Sequence, residues 1–197
     1  MEIRTLTLGI YQTITYLVVQ DNEIIVIDPV SKPERIQALI KENETLVGIC
    51  LTHGHFDHIG AVDELVSKYN CPVFIHKDDY ELTQDSEKNY SQTKKIKLKS
   101  KIEFYSDSMK IKSFNFDVLN TPGHTKGSVC LRFDNNLFTG DTLFKGSIGR
   151  TDLYGASPQE MKQSLRLLRS LQEDYIIYPG HDGITTLFDE LKRNPYL

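Results

Sequence analysis

Nothing in this 197-residue sequence approaches the roughly 18 consecutive apolar residues that a membrane-spanning helix requires. The uncharged stretch between Arg4 and Asp21 alternates Thr and Gln with Leu, Ile and Val, which is strand patterning and not an export segment. A soluble, cytoplasmic protein is expected. Cysteine is scarce and odd in number. Cys50, Cys71 and Cys130 lack metal-type spacing and imply no disulfide framework, and the apolar runs around Cys50 and Cys130 suit buried, inert thiols. Only 12 Gly and 7 Pro, beside 39% hydrophobic and 25% charged residues, exclude collagen-like, low-complexity and disordered classes. Positive charge is not in excess either. Lys and Arg total 23 against 27 Asp and Glu, a net charge of −4, so no global field gathers polyanions and nucleic acid is not an expected partner.

What remains is a chain of ordinary domain size, expected to fold as one domain over residues 1–197 with a substantial core. Strands are expected at Ile14–Val19 and Glu23–Ile27, joined by a turn at Asp21-Asn22. A helix opens at Ser31-Pro33 and runs through Ile40, then a strand at Leu46–Leu51, a helix at Ala61–Tyr69 and a strand at Val73–Ile75. Asp78–Leu82 reads as a short helix, Gln84–Thr93 as a loop, and Gln84–Lys99 as a segment able to shape a pocket. From Ile96 to Leu119 the pattern is β-like, with Lys95, Lys97, Lys99 and Lys101 on one parity as the solvated face of a half-buried strand. A hairpin follows at Ser128–Phe133 and Leu137–Gly140. A capping box at Ser157-Pro158-Gln159-Glu160 then starts an amphipathic helix, ahead of a strand at Tyr175–Tyr178 and a closing helix from about Thr186 to Lys192. Strands and helices in this order favour an α/β fold, a four-layer αββα sandwich, with a single mixed sheet as the alternative topology.

Five of the six histidines, His53, His55, His58, His124 and His181, follow expected strands and sit beside Asp or Gly. Imidazole is the commonest protein ligand for zinc-like metals, and a carboxylate is its usual complement where two cations share a site; Asp57 and Asp141 supply one. His53-Gly54-His55-Phe56-Asp57-His58 places four potential ligands within six residues, too many for one ion, and Gly54 is expected to let the backbone turn sharply. His76 has no adjacent ligand partner and reads as a structural or supporting histidine.

Together, Thr52-His53-Gly54-His55-Phe56-Asp57-His58, Thr121-Pro122-Gly123-His124-Thr125, Thr139-Gly140-Asp141-Thr142-Leu143-Phe144 and Pro179-Gly180-His181 resemble the motifs of the metallo-β-lactamase superfamily. The resemblance spans the chain and is closest to the compact glyoxalase II-like hydrolases. It implies that His53, His55 and His124 hold one divalent ion and Asp57, His58 and His181 a second, with Asp141 bridging. Zinc is the first expectation, with iron or manganese as alternatives. Two cations about 3.5–4 Å apart need a bridging anion, and coordination lowers the pKa of water from 15.7 to about 7. The implied reaction is attack of a metal-bridging hydroxide, oriented by Asp57 as the catalytic residue, on a small thioester of the acylglutathione type. Gly146 to Asp152 resembles the family's substrate-binding segment, which makes Arg150 and, less directly, Lys145 candidate substrate contacts; an ion pair between Arg150 and Asp152 is the competing reading.

Other functions share the same residues. A mononuclear iron persulfide dioxygenase would need fewer ligands than the seven present. Hydrolysis of another small ester, lactone or phosphoester, a nuclease, and a binding module that has lost its chemistry are further alternatives, the last disfavoured because every ligand is retained. The expected partner is a small-molecule substrate, with no nucleic acid and no membrane, in a monomer or small homo-oligomer.

Overall fold

The computed structural model describes residues 1–91 and 95–197. The first sheet contains β1 (Glu2–Leu8), β2 (Thr13–Gln20), β3 (Glu23–Ile27), β4 (Thr45–Cys50), β5 (Val73–Ile75) and β6 (Ile102–Phe104), in that spatial order. Antiparallel pairing at β1–β2–β3 gives way to parallel pairing from β3 through β6, where α1 (Pro33–Gln37), α2 (Phe56–Ile59), α3 (Val62–Tyr69) and α4 (Tyr80–Gln84) lie in the connections. The second half of the chain supplies β7 (Ser108–Ile111), β8 (Phe114–Asn120), β9 (Val129–Phe133), β10 (Asn136–Gly140), a ribbon of β11 (Leu143–Phe144) and β12 (Ser147–Ile148), α5 (Pro158–Arg169), β13 (Ile176–Pro179), β14 (Thr185–Thr186) and α6 (Leu187–Arg193). Its six-stranded sheet runs β14-β13-β10-β9-β8-β7, with β10 parallel to β13.

Strand alternation assigns each side chain to a layer. Leu17, Val19, Ile24, Val26, Ile49 and Leu51 pack outward against Ile36 of α1 and Val62 and Leu65 of α3. Their strand neighbours Tyr16, Val18, Ile25, Ile27 and Cys50 face the second sheet, where Phe116 stacks on Phe133 at 4.4 Å and Phe138 on Tyr178 at 4.9 Å. On the far side, Cys130, Leu137 and Ile177 meet Met161, Leu165 and Leu168 of α5 and Leu187 of α6. The result is the αββα sandwich, two mixed sheets face to face beneath outer helices. All three thiols are buried and free. Burial pushes Cys71 up to about 11 and Cys130 up to about 12, so they pack as small apolar groups.

Several elements depart from the sequence reading. α1 stops at Gln37 and does not run to Ile40, because Leu39 and Ile40 donate to Ile36 and Gln37 in tighter i→i−3 bonds. β1 is an additional strand at the sheet edge, beyond the two expected over the first thirty residues. Lys95 to Lys101 is not a strand. Its lysines are exposed and Leu98 is buried, as the alternation requires, yet the main chain bonds to Ser91 Oγ, to Thr83 O and to the Asp63 carboxylate, and no ladder forms before Ile102. Period-two burial reports extended backbone lying across α3 and α4, not pairing. The 84–93 loop is irregular at its described residues; Gln92, Thr93 and Lys94 lie outside them. The capping box at α5 forms as expected, with Ser157 Oγ accepting from Glu160 N at 3.2 Å. No helix among the described residues is long and apolar enough to cross a membrane.

One edge of the sandwich gathers the loops that follow β3, β4, β8, β10 and β13. Parallel pairing brings the C-terminal ends of β3 and β4 together in one sheet and those of β10 and β13 together in the other. Ile14 N donating to Gly180 O at 2.8 Å and Val129 N donating to Thr52 O at 2.9 Å tie the sheets at this edge.

Candidate metal centre

β4 runs out into His53, Gly54 and His55, and the single helical turn of α2 then carries Asp57 and His58 to the same side. This turn lies inside the histidine motif, where a loop was expected; four residues are too few to show a helical period. Gly54 is needed for closeness and not for a sharp turn, since an added Cβ would stand 2.6 Å from Leu82 Cβ. His124 enters from the loop after β8, Asp141 directly after β10 and His181 after β13, beyond Gly180.

Ligand nitrogens of His53, His55 and His124 lie within 4.8 Å of one another, as do ligand atoms of Asp57, His58 and His181. Asp141 stands between the two groups: its Oδ2 is 3.4 Å from both His124 Nε2 and His181 Nε2, and its Oδ1 is 3.4 Å from His58 Nε2. The structure therefore brings together all seven residues expected to ligate.

Hydrogen bonds fix which nitrogen each ring presents. His124 Nδ1–H donates to Arg150 O at 2.8 Å and His181 Nδ1–H to Tyr11 O at 2.9 Å, and a carbonyl can only accept. His58 Nδ1–H donates to Asp28 Oδ2 at 2.9 Å. Thr52 Oγ1 gives its proton to Asp28 Oδ2 at 2.6 Å and so accepts from His53 Nδ1 at 3.2 Å. Four rings thus spend Nδ1 on an outer acceptor and turn Nε2 inward, the orientation a metal ligand needs. His55 faces His124 Nε2 through Nδ1 at 2.9 Å. Five buried polar side-chain atoms among the described residues lack a hydrogen-bond partner, and four are here: His53 Nε2, His55 Nε2, His58 Nε2 and Asp141 Oδ1. Orphaned lone pairs converging in this way fit divalent cations and little else.

Electrostatics agree. Burial and the neighbouring imidazoles hold His53 and His55 well below the usual histidine range, so both stay neutral ligands. Burial alone would also lower His58, but the carboxylates of Asp141, Asp28 and Asp57 outweigh it and raise the ring to about 10. Asp141 is buried, which would raise it, yet the surrounding histidines keep it well below the ordinary carboxylate value. The centre is an anionic cradle that favours positive charge.

Asp28 and Thr52, which orient His53 and His58, are not singled out by the sequence; the only signal is a carboxylate directly after a buried strand. Thr13, likewise unexpected, donates to Asp57 Oδ2 at 2.9 Å. His76 lies apart, its Nδ1 accepting from Asp78 N at 3.3 Å to cap a short 3₁₀ turn. Above the centre opens a cavity of about 540 Å³, with Ile10, Tyr11, Phe56, Tyr90 and Leu153 on its apolar walls and Arg150 in its lining. The Arg150 guanidinium pairs with Asp152 at 2.7 and 2.8 Å in solvent. Lys145 is exposed on the β11–β12 turn and lines a different cavity with Ile184 and Arg193.

A two-sheet sandwich with this histidine–aspartate edge defines the metallo-hydrolase class. The chain belongs to the metallo-beta-lactamase superfamily, whose family model matches residues 8–181. Probable metallo-hydrolase YqgX of Bacillus subtilis is 33% identical, covering 100% of this chain and 98% of that protein. Hydroxyacylglutathione hydrolase GloC of Haemophilus influenzae is 33% identical over 87% of this chain and 86% of its own length. Among solved structures, BLEG-1 B3 metallo-beta-lactamase superposes with a TM-score of 0.93 at 35% identity, covering 100% and 99% of the two chains. The di-iron-bound form of TTHA1623 gives 0.88 at 36% identity, covering 98% and 100%.

Proposed function

We propose that this protein is a metal-dependent hydrolase of a small thioester of the acylglutathione type. The observation that carries the reading is Asp141, whose carboxylate lies 3.4 Å from histidines of both ligand groups and so suits a two-ion centre. His53, His55 and His124 would hold one ion, Asp57, His58 and His181 the other, with Asp141 shared. Divalent ions held there supply Lewis acidity toward a substrate carbonyl and toward water. The remaining work falls to the chain. Asp57, fixed by Thr13 and part-exposed on the cavity floor, accepts a hydrogen bond from water and orients it toward the scissile carbonyl. Apolar walls exclude bulk water from the acyl group. Arg150 can exchange its solvent-exposed partner Asp152 for a substrate carboxylate, because an exposed ion pair is worth little. The likeness to GloC supports the thioester, and the di-iron form of TTHA1623 keeps iron beside zinc as the native metal.

The test is steady-state hydrolysis of S-D-lactoylglutathione by zinc- and iron-loaded protein, with a chelated control and a count of metal per chain. Chelator-sensitive turnover with two ions per chain is expected. One iron per chain, with oxygen uptake and no hydrolysis, would overturn it in favour of oxidation. Likeness to BLEG-1 makes a β-lactam the second reading, and a chromogenic cephalosporin offered to the same preparation separates the two. Turnover of the cephalosporin alone would reverse their order.

A further inference from the structure

Asp79, at the end of the 3₁₀ turn Lys77–Asp79, is a 1% exposed carboxylate outside the histidine–aspartate centre. Its Oδ2 accepts from Gly54 N at 2.8 Å and from Thr125 Oγ1 at 2.7 Å, and its Oδ1 accepts from Gly127 N at 2.6 Å. Gly54 lies between His53 and His55, and Thr125 follows His124. One side chain therefore joins the two loops that carry His53, His55 and His124. Both loops press on the turn, since a Cβ added at Gly54 would stand 3.0 Å from Asp79 O and one added at Gly127 would stand 2.6 Å from Asp79 N.

Burying a carboxylate is costly unless its lone pairs are filled, and here three donors fill them. An amide of the same shape fails, because its NH₂ must face a main-chain N–H or the Gly54–Thr125 donor pair. The other ligand group has separate supports: Thr13 for Asp57, Asp28 for His58 and the Tyr11 carbonyl for His181. We propose that Asp79 is a positioning residue that sets cation affinity at the His53–His55–His124 group and leaves the Asp57–His58–His181 group unaffected. This rests on the reading that both groups hold cations, and it does not depend on the substrate.

The test is zinc titration against a chromophoric chelator, with Asp79→Asn placed in two backgrounds, His181→Ala to isolate the first group and His124→Ala to isolate the second. Asp79→Asn is expected to weaken zinc about 10- to 100-fold in the His181→Ala background, the usual cost of losing a group that orients ligands, and less than about twofold in the His124→Ala background. Asp79→Ala leaves three donors bare and can unfold the chain, so Thr125→Val is the second variant; it removes one donor and should give a smaller loss with the same selectivity. Equal losses in both backgrounds would mean a merely structural latch and would overturn the proposal. So would no loss in the His181→Ala background, or a wild-type chain that binds no zinc. No substrate enters the titration, so inactivity toward thioesters overturns the functional reading alone.

Discussion

His124 donates its Nδ1 proton to the main-chain carbonyl of Arg150 at 2.8 Å, while the Arg150 side chain reaches away to Asp152. One residue thus orients a histidine of the centre through its backbone while its side chain pairs with Asp152 beside the cavity. Arg150→Ala keeps the carbonyl and should keep the metal content. If the guanidinium binds substrate equally in ground and transition states, KM should rise about tenfold or more with kcat nearly unchanged, since a hydrogen bond to a charged group contributes about 1.5–3 kcal/mol. Steady-state kinetics beside metal analysis check this; a fall in kcat alone would contradict the binding role.

Asp57 and Asp141 carry the heavier demand. Asp57→Asn and Asp141→Ala should each lower turnover at least about 100-fold, Asp57 because that is the lower end of what a positioned proton-handling group contributes and Asp141 because the carboxylate shared by both ligand groups is lost, while circular dichroism stays that of the wild type. Either variant working near the wild-type rate would remove that residue from its assigned role.

Gly180 separates the two kinds of demand a tight site makes. A Cβ at this position would collide with Asp141 Oδ1 and stand 2.8 Å from His58 Cε1. Gly180→Ala should therefore displace the shared carboxylate and reduce bound metal and turnover together, with retained secondary structure. Two ions per chain and full activity in this variant would show that the loop gives way freely.

Far from the site, Arg4 of β1 donates Nη2 to Glu44 Oε1 at 2.6 Å, and the Glu44 side chain is only 4% exposed. The hydrogen bond from Arg4 holds Glu44 down to about 2, against about 4.3 for an ordinary glutamate. A folded-state value below the unfolded one means that the pair stabilises fully above about pH 4.5 and loses its effect as pH falls toward 2. Glu44→Gln should therefore show a lower Tm than the wild type that is constant from pH 6 to 7, and the gap should close between about pH 4.5 and 2. A gap independent of pH over that range would assign the effect to packing.

The parts of this molecule that sequence reveals are those in which chemistry and local pattern coincide. His53, His55, Asp57 and His58 were readable because four potential ligands crowd six residues, and β3 because five residues from Glu23 to Ile27 are nearly all branched and apolar. Asp28 and Asp79 are carboxylates whose partners, His58 and Gly127, lie far along the chain, so nothing local distinguishes them from strand or helix ends. Lys95 to Lys101 shows the opposite failure: a clear local pattern whose meaning depends on which element lies beside it, here helices and not a strand. Arg150 was legible as to type, while the part of it that orients His124 is a carbonyl that any residue would supply.

The seam at which Ile14 bonds to Gly180 and Val129 to Thr52 has a thermodynamic consequence. His58 hangs from the first sheet and His181 from the second, so an ion held by both would act as a clasp between the halves of the sandwich, present only in the native state. Free metal then becomes a thermodynamic partner of folding: at 100 times the dissociation constant a single such ion adds about 2.7 kcal/mol. Metal supply would then set the margin of stability as well as the rate, and scarcity would be registered first as loss of rate, with a native state left closer to unfolding behind it.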